Sequence, residues 1–256
     1  SDLDTDRDGL KDWEEILVGT DPINPDSDSD GTSDGKEVSA GRNPKKAGPN
    51  DTTTIENLVK KDVGVGETEH TLTEQVAKDF FSRYIAAKQQ NVEMNSETAA
   101  QIANTSIQNV NLPEYTFYGP KDIKVSNDTS LEAKKVYADE LGSAINRNST
   151  KNVTNELNIF AKSLESQKEI DLLTLDLIIT GYKKILKDTL AIQVPKDAAP
   201  EHLVYVNALS RIYIDISDMR MIISDPVRGY IGFSHYKQNA LMLKFAFENL
   251  QAYFYK

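Results

Sequence analysis

The sequence predicts a mainly α protein that has an irregular N-terminal segment followed by an all-α helical bundle. Apolar residues recur at helical spacing nearly throughout from Leu72 onward. Before that point the chain is rich in aspartate, glycine and proline, which favour turns over helices. The aspartates fall into two copies of one pattern, 22 residues apart, and this repeat is the strongest signal in the chain.

The two copies run from Asp4 to Glu15 and from Asp26 to Glu37. Each has three aspartates at alternate positions, then a glycine, and finally a glutamate. Alternate aspartates can converge on one hard cation only if the chain turns sharply after the third, and glycine permits that turn. Both copies match the calcium-loop template without a substitution. The sequence therefore predicts that each loop binds calcium, giving two or more Ca²⁺ ions in all.

The template assigns a ligand role to six positions of each loop. Carboxylates fill positions one, three and five, a backbone carbonyl fills position seven, position nine binds directly or through water, and a glutamate closes the site. The predicted ligands are Asp4, Asp6, Asp8, Leu10, Asp12, Glu15, Asp26, Asp28, Asp30, Thr32, Asp34 and Glu37. Asp2 either adds to a further shared site or belongs to a loose chain end. Asp21 is predicted to be a turn residue.

The alternative interpretation is a solvated acidic linker that coordinates nothing. Residues 1–50 hold thirteen Asp or Glu and six Lys or Arg, a net charge of −7 out of −11 for the whole chain. Calcium would neutralise much of that repulsion, so we expect the segment to be ordered only with metal. Nucleic acid is not an expected partner, because no basic patch is present to neutralise phosphates.

The motifs around the loops resemble a known family. Gly19-Thr20-Asp21-Pro22 with Pro25 follows the first loop, and Gly41-Arg42-Asn43-Pro44 follows the second. Together with the loops they resemble bacterial thrombospondin type 3 repeats over roughly residues 2–47. The resemblance implies a calcium core wrapped by acidic chain, with little apolar packing, that serves as a stiff spacer on secreted or surface proteins. Animal members are stapled by disulfides; this chain has no cysteine, which favours a bacterial source.

The predicted location is extracytoplasmic, either secreted or on the cell surface. Calcium loops of extracellular modules work at dissociation constants of about 10⁻⁴ to 10⁻³ M, a concentration found outside cells. The chain begins Ser1-Asp2-Leu3 with no initiator methionine, which suggests a protein trimmed of a signal peptide or membrane anchor. No apolar run of membrane-spanning length occurs, so a membrane contact would need such an anchor.

Composition divides the chain into repeats at 1–47, a linker at 48–71 and a helical bundle at 72–256. The linker assignment depends on its glycines, its threonine run and its short apolar patch. The bundle is predicted to contain about six or seven helices.

Each predicted helix has its own start signal or apolar stripe. Thr71 to Glu74 forms a capping box before the first helix, and a second such box begins at Thr129. Tyr115 to Val125 alternates and predicts a short hairpin or an extended arm. The other predicted helices run over 96–110, 152–167 and 170–192, the last apolar on nearly every side, then from Pro200, and finally beyond Pro226 with a stripe from Tyr236 to Phe254.

No sequence motif indicates catalysis, so the chain is predicted not to be an enzyme. His70, His202 and His235 have no metal-ligand spacing and are expected to be surface or capping side chains. Gly229 and Gly232 in the last helix favour a kink, close packing or ligand approach, and Gly181 favours close helix contact.

The leading hypothesis is a calcium-stiffened stalk that presents a helical interaction domain to another protein or envelope component. A helical sensor or ligand-binding domain, with a pocket near Gly229 and Tyr236, comes second, and an envelope-modifying enzyme third.

Overall fold

A computed structural model describes residues 3–53, 71–90, 92, 94–110, 112, 114–150 and 155–254. The mainly α prediction is confirmed. The chain divides into two compact units, Ser1–Asn111 and Leu112–Lys256. In the first unit the described helices are α1 (Asp12–Val18), α2 (Asp34–Ser39), α3 (Leu72–Gln89) and α4 (Ser96–Gln108).

The first unit has an apolar core that joins the repeats to α3. Buried side chains of the repeat segment pack with the buried face of α3, and Trp13 lies against the same cluster. The ring centroid of Trp13 is 5.5 Å from that of Tyr84 and 6.4 Å from that of Phe81. The buried members of this core are Leu10, Val18, Val38, Phe81, Tyr84 and Ile85. The expectation of little apolar packing around the repeats is therefore wrong.

The unit boundary falls later than the predicted start of the bundle at residue 72. Helix α3 belongs with the repeats because its buried residues complete their core. The capping box before α3 is confirmed, since Thr71 N donates to Glu74 Oε2 at 3.2 Å and Glu74 N donates to Thr71 Oγ1 at 3.1 Å. The sequence predicts an apolar stripe of Val76, Phe80, Tyr84 and Ala87 on this helix. Tyr84 is buried as expected, whereas Phe80 is half-buried and its neighbour Phe81 is buried instead.

The second unit is helical with one small sheet. Its described helices are α5 (Leu131–Asn148), α6 (Glu156–Ser166), α7 (Leu173–Ala191), α8 (Ala199–Met219) and α9 (Pro226–Tyr253), with 3₁₀ turns at Pro120–Asp122 and Glu169–Leu172. Seven α-helices therefore lie in the described residues from 72 onward, as predicted. Strands β1 (Lys124–Ser126) and β2 (Gln193–Pro195) pair in parallel, with Val125 opposite Val194.

The hairpin expected over Tyr115 to Val125 is wrong, because β1 pairs with β2. Three described α-helices separate these two strands in the sequence. The residues before β1 form the extended arm that was the other alternative. Tyr118 N donates to Asn207 Oδ1 at 2.8 Å, and Asn207 Nδ2 donates back to Tyr118 O at 2.9 Å, so the arm is attached to α8.

The helix pair α8–α9 forms the centre of the second unit. Helix α8 packs against both α7 and α9 and carries the largest set of buried side chains. Helix α7 is less buried than its composition suggests, since Leu173 is 51% exposed and Leu177 is 60% exposed. Helix α7 packs against α5, α6 and α8, but one side of it is exposed, so it is not enclosed in the bundle as fully as predicted.

Glycines allow α8 and α9 to approach closely. A Cβ placed on Gly232 would lie 2.5 Å from the backbone oxygen of Asp215, and one on Gly229 would lie 2.4 Å from the Cα of Ile222. Both distances are shorter than any real Cβ contact, so close packing is the role that these glycines have. Gly181 on α7 also permits close packing, because a Cβ on it would lie 2.8 Å from the backbone oxygen of Asn148.

Candidate metal centre

The two acidic loops share the same backbone geometry. Gly9 has φ of +104° and Gly31 has φ of +93°, values that L side chains rarely adopt. Arg7 and Ser29, two residues earlier, are both in the left-handed region at φ of +63°. These paired turns fold each loop so that its three alternate aspartates face one another. Within each trio, Asp4, Asp6 and Asp8 or Asp26, Asp28 and Asp30, carboxylate oxygens lie within 4.8 Å of one another.

Backbone amides hold these aspartates in place. In the first loop, Asp8 N donates to Asp6 Oδ1 at 3.2 Å, and Leu10 N donates to Asp8 Oδ1 at 2.7 Å. The second loop repeats both bonds, from Asp30 N to Asp28 at 3.0 Å and from Thr32 N to Asp30 at 2.8 Å. Asp6 and Asp28 thus have one oxygen fixed by the chain, which orients the other oxygen of the same carboxylate.

The closing glutamates are fully buried. Glu15 lies in α1 and Glu37 lies in α2, each in the first turns of its helix. One oxygen of each is bonded, since Thr20 Oγ1 donates to Glu15 Oε1 at 3.4 Å and Arg42 Nη2 donates to Glu37 Oε1 at 2.7 Å. The second oxygens, Oε2 in both residues, are buried and receive no hydrogen bond from the described residues.

Three oxygens of the loop aspartates are likewise buried and without a hydrogen bond from the described residues. They are Asp6 Oδ2, Asp26 Oδ1 and Asp28 Oδ2. Burial and the neighbouring carboxylates raise the pKa values of Glu15 and Glu37 to about 7. Burying a charged carboxylate oxygen without a partner costs several kcal/mol, so the unbonded oxygens of each loop favour a bound cation.

The donor set fits calcium. Both loops offer only oxygen ligands, and carboxylate and carbonyl oxygens suit hard divalent cations. Asp4, Asp6, Asp8 and Glu15 would hold an ion in the first loop, and Asp26, Asp28, Asp30 and Glu37 in the second. Leu10 and Thr32 follow the turn glycines as the template requires. That their carbonyls coordinate stays a prediction.

Asp12 and Asp34, predicted as ligands at position nine, have another role in the structure. Thr5 donates to both carboxylate oxygens of Asp12, from its amide at 2.8 Å and its hydroxyl at 2.9 Å. Ser27 makes the same two bonds to Asp34, at 2.8 Å and 2.6 Å. Both side chains therefore brace the start of the loop against its end, and their role as calcium ligands, directly or through water, stays a prediction. Sequence reasoning missed this role because Thr5 and Ser27 occupy unspecified template positions.

The two loops are also bonded to each other. Gly35 N donates to Asp8 Oδ2 at 2.7 Å. A Cβ on Gly35 would lie 2.5 Å from the backbone oxygen of Asp8, so only glycine permits this approach. The third aspartate of the first loop thereby contributes both to its own site and to the packing of the second repeat.

A functional residue that the template could not reveal lies beyond the repeats. Asp51 is buried, and its carboxylate groups with those of Asp30 and Glu37 within 4.8 Å. Residues 48–53 were predicted to begin the linker, and the structure corrects this. Gly48 N donates to Asp30 Oδ2 at 2.8 Å, and Thr52 forms an antiparallel bridge with Arg42. The remainder of the predicted linker, 54–70, lies outside the described residues.

The prediction that the histidines are surface side chains is wrong for His202 and agrees with the exposed position of His235. His202 is buried, with its Nδ1 at 2.9 Å from the hydroxyl of Tyr137, so the expected surface position is wrong. Burial lowers its pKa to about 4, which keeps the ring neutral. His235 is exposed, with its Nδ1 at 3.1 Å from the hydroxyl of Tyr115. His70 lies outside the described residues.

The fold and the two acidic loops define the N-terminal segment as a tandem of calcium-binding loop repeats. The family model "Bacterial TSP3 repeat" matches residues 4–25 and again residues 26–47, so the resemblance found in the sequence is confirmed. The match ends before α3. No curated protein and no solved structure matches the chain. Among the described helices, none combines the length and the apolar character needed to cross a membrane.

Proposed function

We propose that the N-terminal repeats bind two calcium ions, one in each loop, and that the chain is a binding protein and not an enzyme. The single observation that carries the proposal is the set of buried carboxylate oxygens with no donor, which occurs in both loops. A linker that coordinates nothing would leave its carboxylates in water, where their charge is solvated at no cost.

The wider role that we propose is a calcium-stiffened spacer on an extracytoplasmic bacterial protein, carrying a helical domain that contacts another protein or envelope component. Two features support the spacer. The loops are tied to each other through Gly35 and Asp8, and their apolar side chains are covered by α3. Calcium would therefore order the repeats as one body.

Calorimetric titration of calcium-free protein tests the proposal. The wild type should bind two ions, with dissociation constants of about 10⁻⁴ to 10⁻³ M if the loops work outside the cell. Glu15→Gln and Glu37→Gln should each lose one ion, because each removes the buried charge that closes one site. Asp21→Asn, at an exposed turn between the loops, is the matched control and should keep both. No heat up to about 10 mM calcium would disprove the proposal, and submicromolar binding would remove the argument for an extracytoplasmic location.

A second candidate function, binding of a small apolar ligand, is favoured by a cavity in the second unit. The cavity has a volume of about 420 Å³, within the range of about 300–1,000 Å³ typical of ligand pockets. It lies between α5, α7, α8 and α9, and its polar lining includes Asn148, Ser149, Thr150 and Lys244. Tyr236 lines it, as the sequence suggested, whereas Gly229 packs against Ile222 instead. The apolar walls include Ile178, Tyr182, Ile185, Tyr205, Leu209, Ile212, Leu243 and Phe247.

Anilinonaphthalene sulfonate, which combines apolar rings with one anionic group, is a suitable probe for this cavity. Its fluorescence should rise on binding, and Ala240→Leu should abolish most of the increase, because Ala240 lines the cavity and a larger side chain fills it. Ala252→Leu adds the same side chain at an exposed position of α9 and should leave the increase unchanged. Equal fluorescence in both variants would show that the dye binds elsewhere, which would contradict the second candidate function.

A further inference from the structure

The second repeat differs from the first at the side chain that bonds its closing glutamate. In the first repeat this donor is the neutral hydroxyl of Thr20, and 22 residues later it is the guanidinium of Arg42. Arg42 Nη2 lies 2.7 Å from Glu37 Oε1 and 3.5 Å from Asp30 Oδ2. A full positive charge thus contacts two predicted ligands of the second calcium ion.

That charge would weaken calcium binding unless another group offset it. Like charges that share a small, partly buried site repel, and the site in the first repeat has no such cation at the equivalent position. Asp51 supplies the offset: its Oδ2 lies 3.0 Å from Arg42 Nε, and its side chain is only 1% exposed. Asp51 Oδ1 is also buried, and it receives no hydrogen bond from the described residues.

Asp51 is brought there by backbone bonds that attach residues 48–53 to the second repeat. Asn43 N donates to Asp51 O at 3.0 Å, and Thr53 N donates to Gly41 O at 3.0 Å. Gly48 N donates to the same oxygen of Asp30 that Arg42 approaches. The segment that follows the repeat therefore contacts the second site both through a side chain and through the backbone.

We propose that the second calcium site extends beyond its loop: Arg42 positions the closing ligand Glu37, and Asp51 offsets the charge of Arg42. Calcium binding in the second loop is then coupled to the docking of residues 48–53, so the metal fixes the direction in which the chain leaves the repeats. Such coupling is reciprocal, so anything that detaches Asp51 lowers the calcium affinity of this site. The inference relies on the proposed function, because it requires a calcium ion in the second loop.

Calorimetry on three variants tests the inference. Asp51→Asn removes the one acidic partner of Arg42 that is not a predicted calcium ligand. It should raise the calcium dissociation constant of the second site about tenfold, which corresponds to roughly 1.4 kcal/mol. The first site should keep its affinity. Asp51→Asn combined with Arg42→Thr recreates the donor of the first repeat and should return the second site to within about threefold of the wild type. Asp21→Asn removes an equal charge at an exposed position outside both loops and should change neither site.

The outcomes separate the two proposals. A wild type that binds no calcium would refute the proposed function itself. Two ions in the wild type with unchanged affinities in Asp51→Asn would overturn only the coupling. If Asp51→Asn weakens binding and Arg42→Thr does not restore it, charge compensation by Asp51 is wrong. If Asp51→Asn does not fold, the double variant still decides, because near-wild-type affinity in it supports the inference and loss of the second site contradicts it.

Discussion

Chelation of calcium is expected to unfold the first unit, and the single tryptophan of the chain should report it. Trp13 lies in α1, within the C-terminal part of the first loop, and packs on the rings of Phe81 and Tyr84. Without metal, the buried carboxylates of each loop repel one another. The loops should then open, and Leu10 and Val38 should separate from the buried face of α3, which disrupts the core that they form with it. The emission of Trp13 should shift to longer wavelength as its ring enters water.

The expected magnitude follows from mass action. An ion that binds only the folded state stabilises it by about 2.7 kcal/mol when its concentration is 100 times the dissociation constant. Two equal sites would contribute about 5 kcal/mol, which is a large share of the roughly 5–15 kcal/mol that holds an ordinary domain folded. The apolar core that the repeats share with α3 is their other main source of stability.

Titration of the calcium-loaded protein with EGTA, followed by Trp13 fluorescence and far-UV circular dichroism, is the measurement. Most of the helical signal should persist, because α5 to α9 belong to the second unit and contain no predicted calcium ligand. The calcium chelate of EGTA, added as the control, should change neither signal. Tryptophan emission that does not respond to EGTA would show that the first unit is stable without metal.

The acidic loops could be predicted from the sequence because their geometry is local. Asp4, Asp6, Asp8 and Glu15 lie within twelve residues of the sequence. The sequence also shows Gly9, whose positive φ provides the turn that brings them together. Asp51 could not be found this way. Its place beside Glu37 depends on a bridge between Arg42 and Thr52, a tertiary contact that no spacing rule encodes. The hydrogen bonds of Asp12 to Thr5 were missed because the template assigns Asp12 a ligand role and leaves the position of Thr5 unspecified.

The helices were predictable from apolar periodicity, whereas their burial was not. Phe80 and Phe81 are adjacent and equally apolar, so the stripe alone does not say which one faces the repeats. Helix α7 is the more apolar in appearance, yet Leu173 and Leu177 on it are exposed, whereas α8 carries the largest set of buried side chains. The pairing of β1 with β2 joins residues on either side of three helices, and local sequence carries no signal for it. In each case a contact distant in sequence decided the outcome.

Substitution of Gly232 by alanine is expected to give the largest loss of stability in the second unit. Intrinsic propensity alone would favour alanine in the interior of α9 by about 1 kcal/mol. The added Cβ, however, would lie 2.5 Å from Asp215 O, 2.8 Å from Asp218 Cβ and 2.9 Å from Met219 N. Two of these three atoms belong to the backbone of α8, which cannot move aside as a flexible side chain can. The helices must separate, and overpacking of this kind costs about 1–3 kcal/mol, occasionally more.

Separation of the helices would also break a buried polar network. Asp215 accepts hydrogen bonds from the Tyr115 hydroxyl at 2.7 Å and from Asn239 Nδ2 at 2.8 Å, and burial raises its carboxyl pKa. A displaced Asp215 leaves these buried partners unsatisfied, at about 1–3 kcal/mol for each lost bond. The steric and polar losses together exceed the gain in helix propensity. We therefore expect Gly232→Ala to destabilise the second unit by about 3 kcal/mol and to lower its melting temperature by about 10 °C.

Gly142→Ala provides a control with the opposite sign. Gly142 lies in the interior of α5, and no atom lies within 4 Å of the position its Cβ would take. Only the propensity effect remains, so this variant should be about 1 kcal/mol more stable than the wild type. Thermal unfolding of both variants in saturating calcium, followed by far-UV circular dichroism, compares the same substitution in the same unit. If both glycines respond alike, the close approach of α8 and α9 at Gly232 is not what determines the stability of this unit.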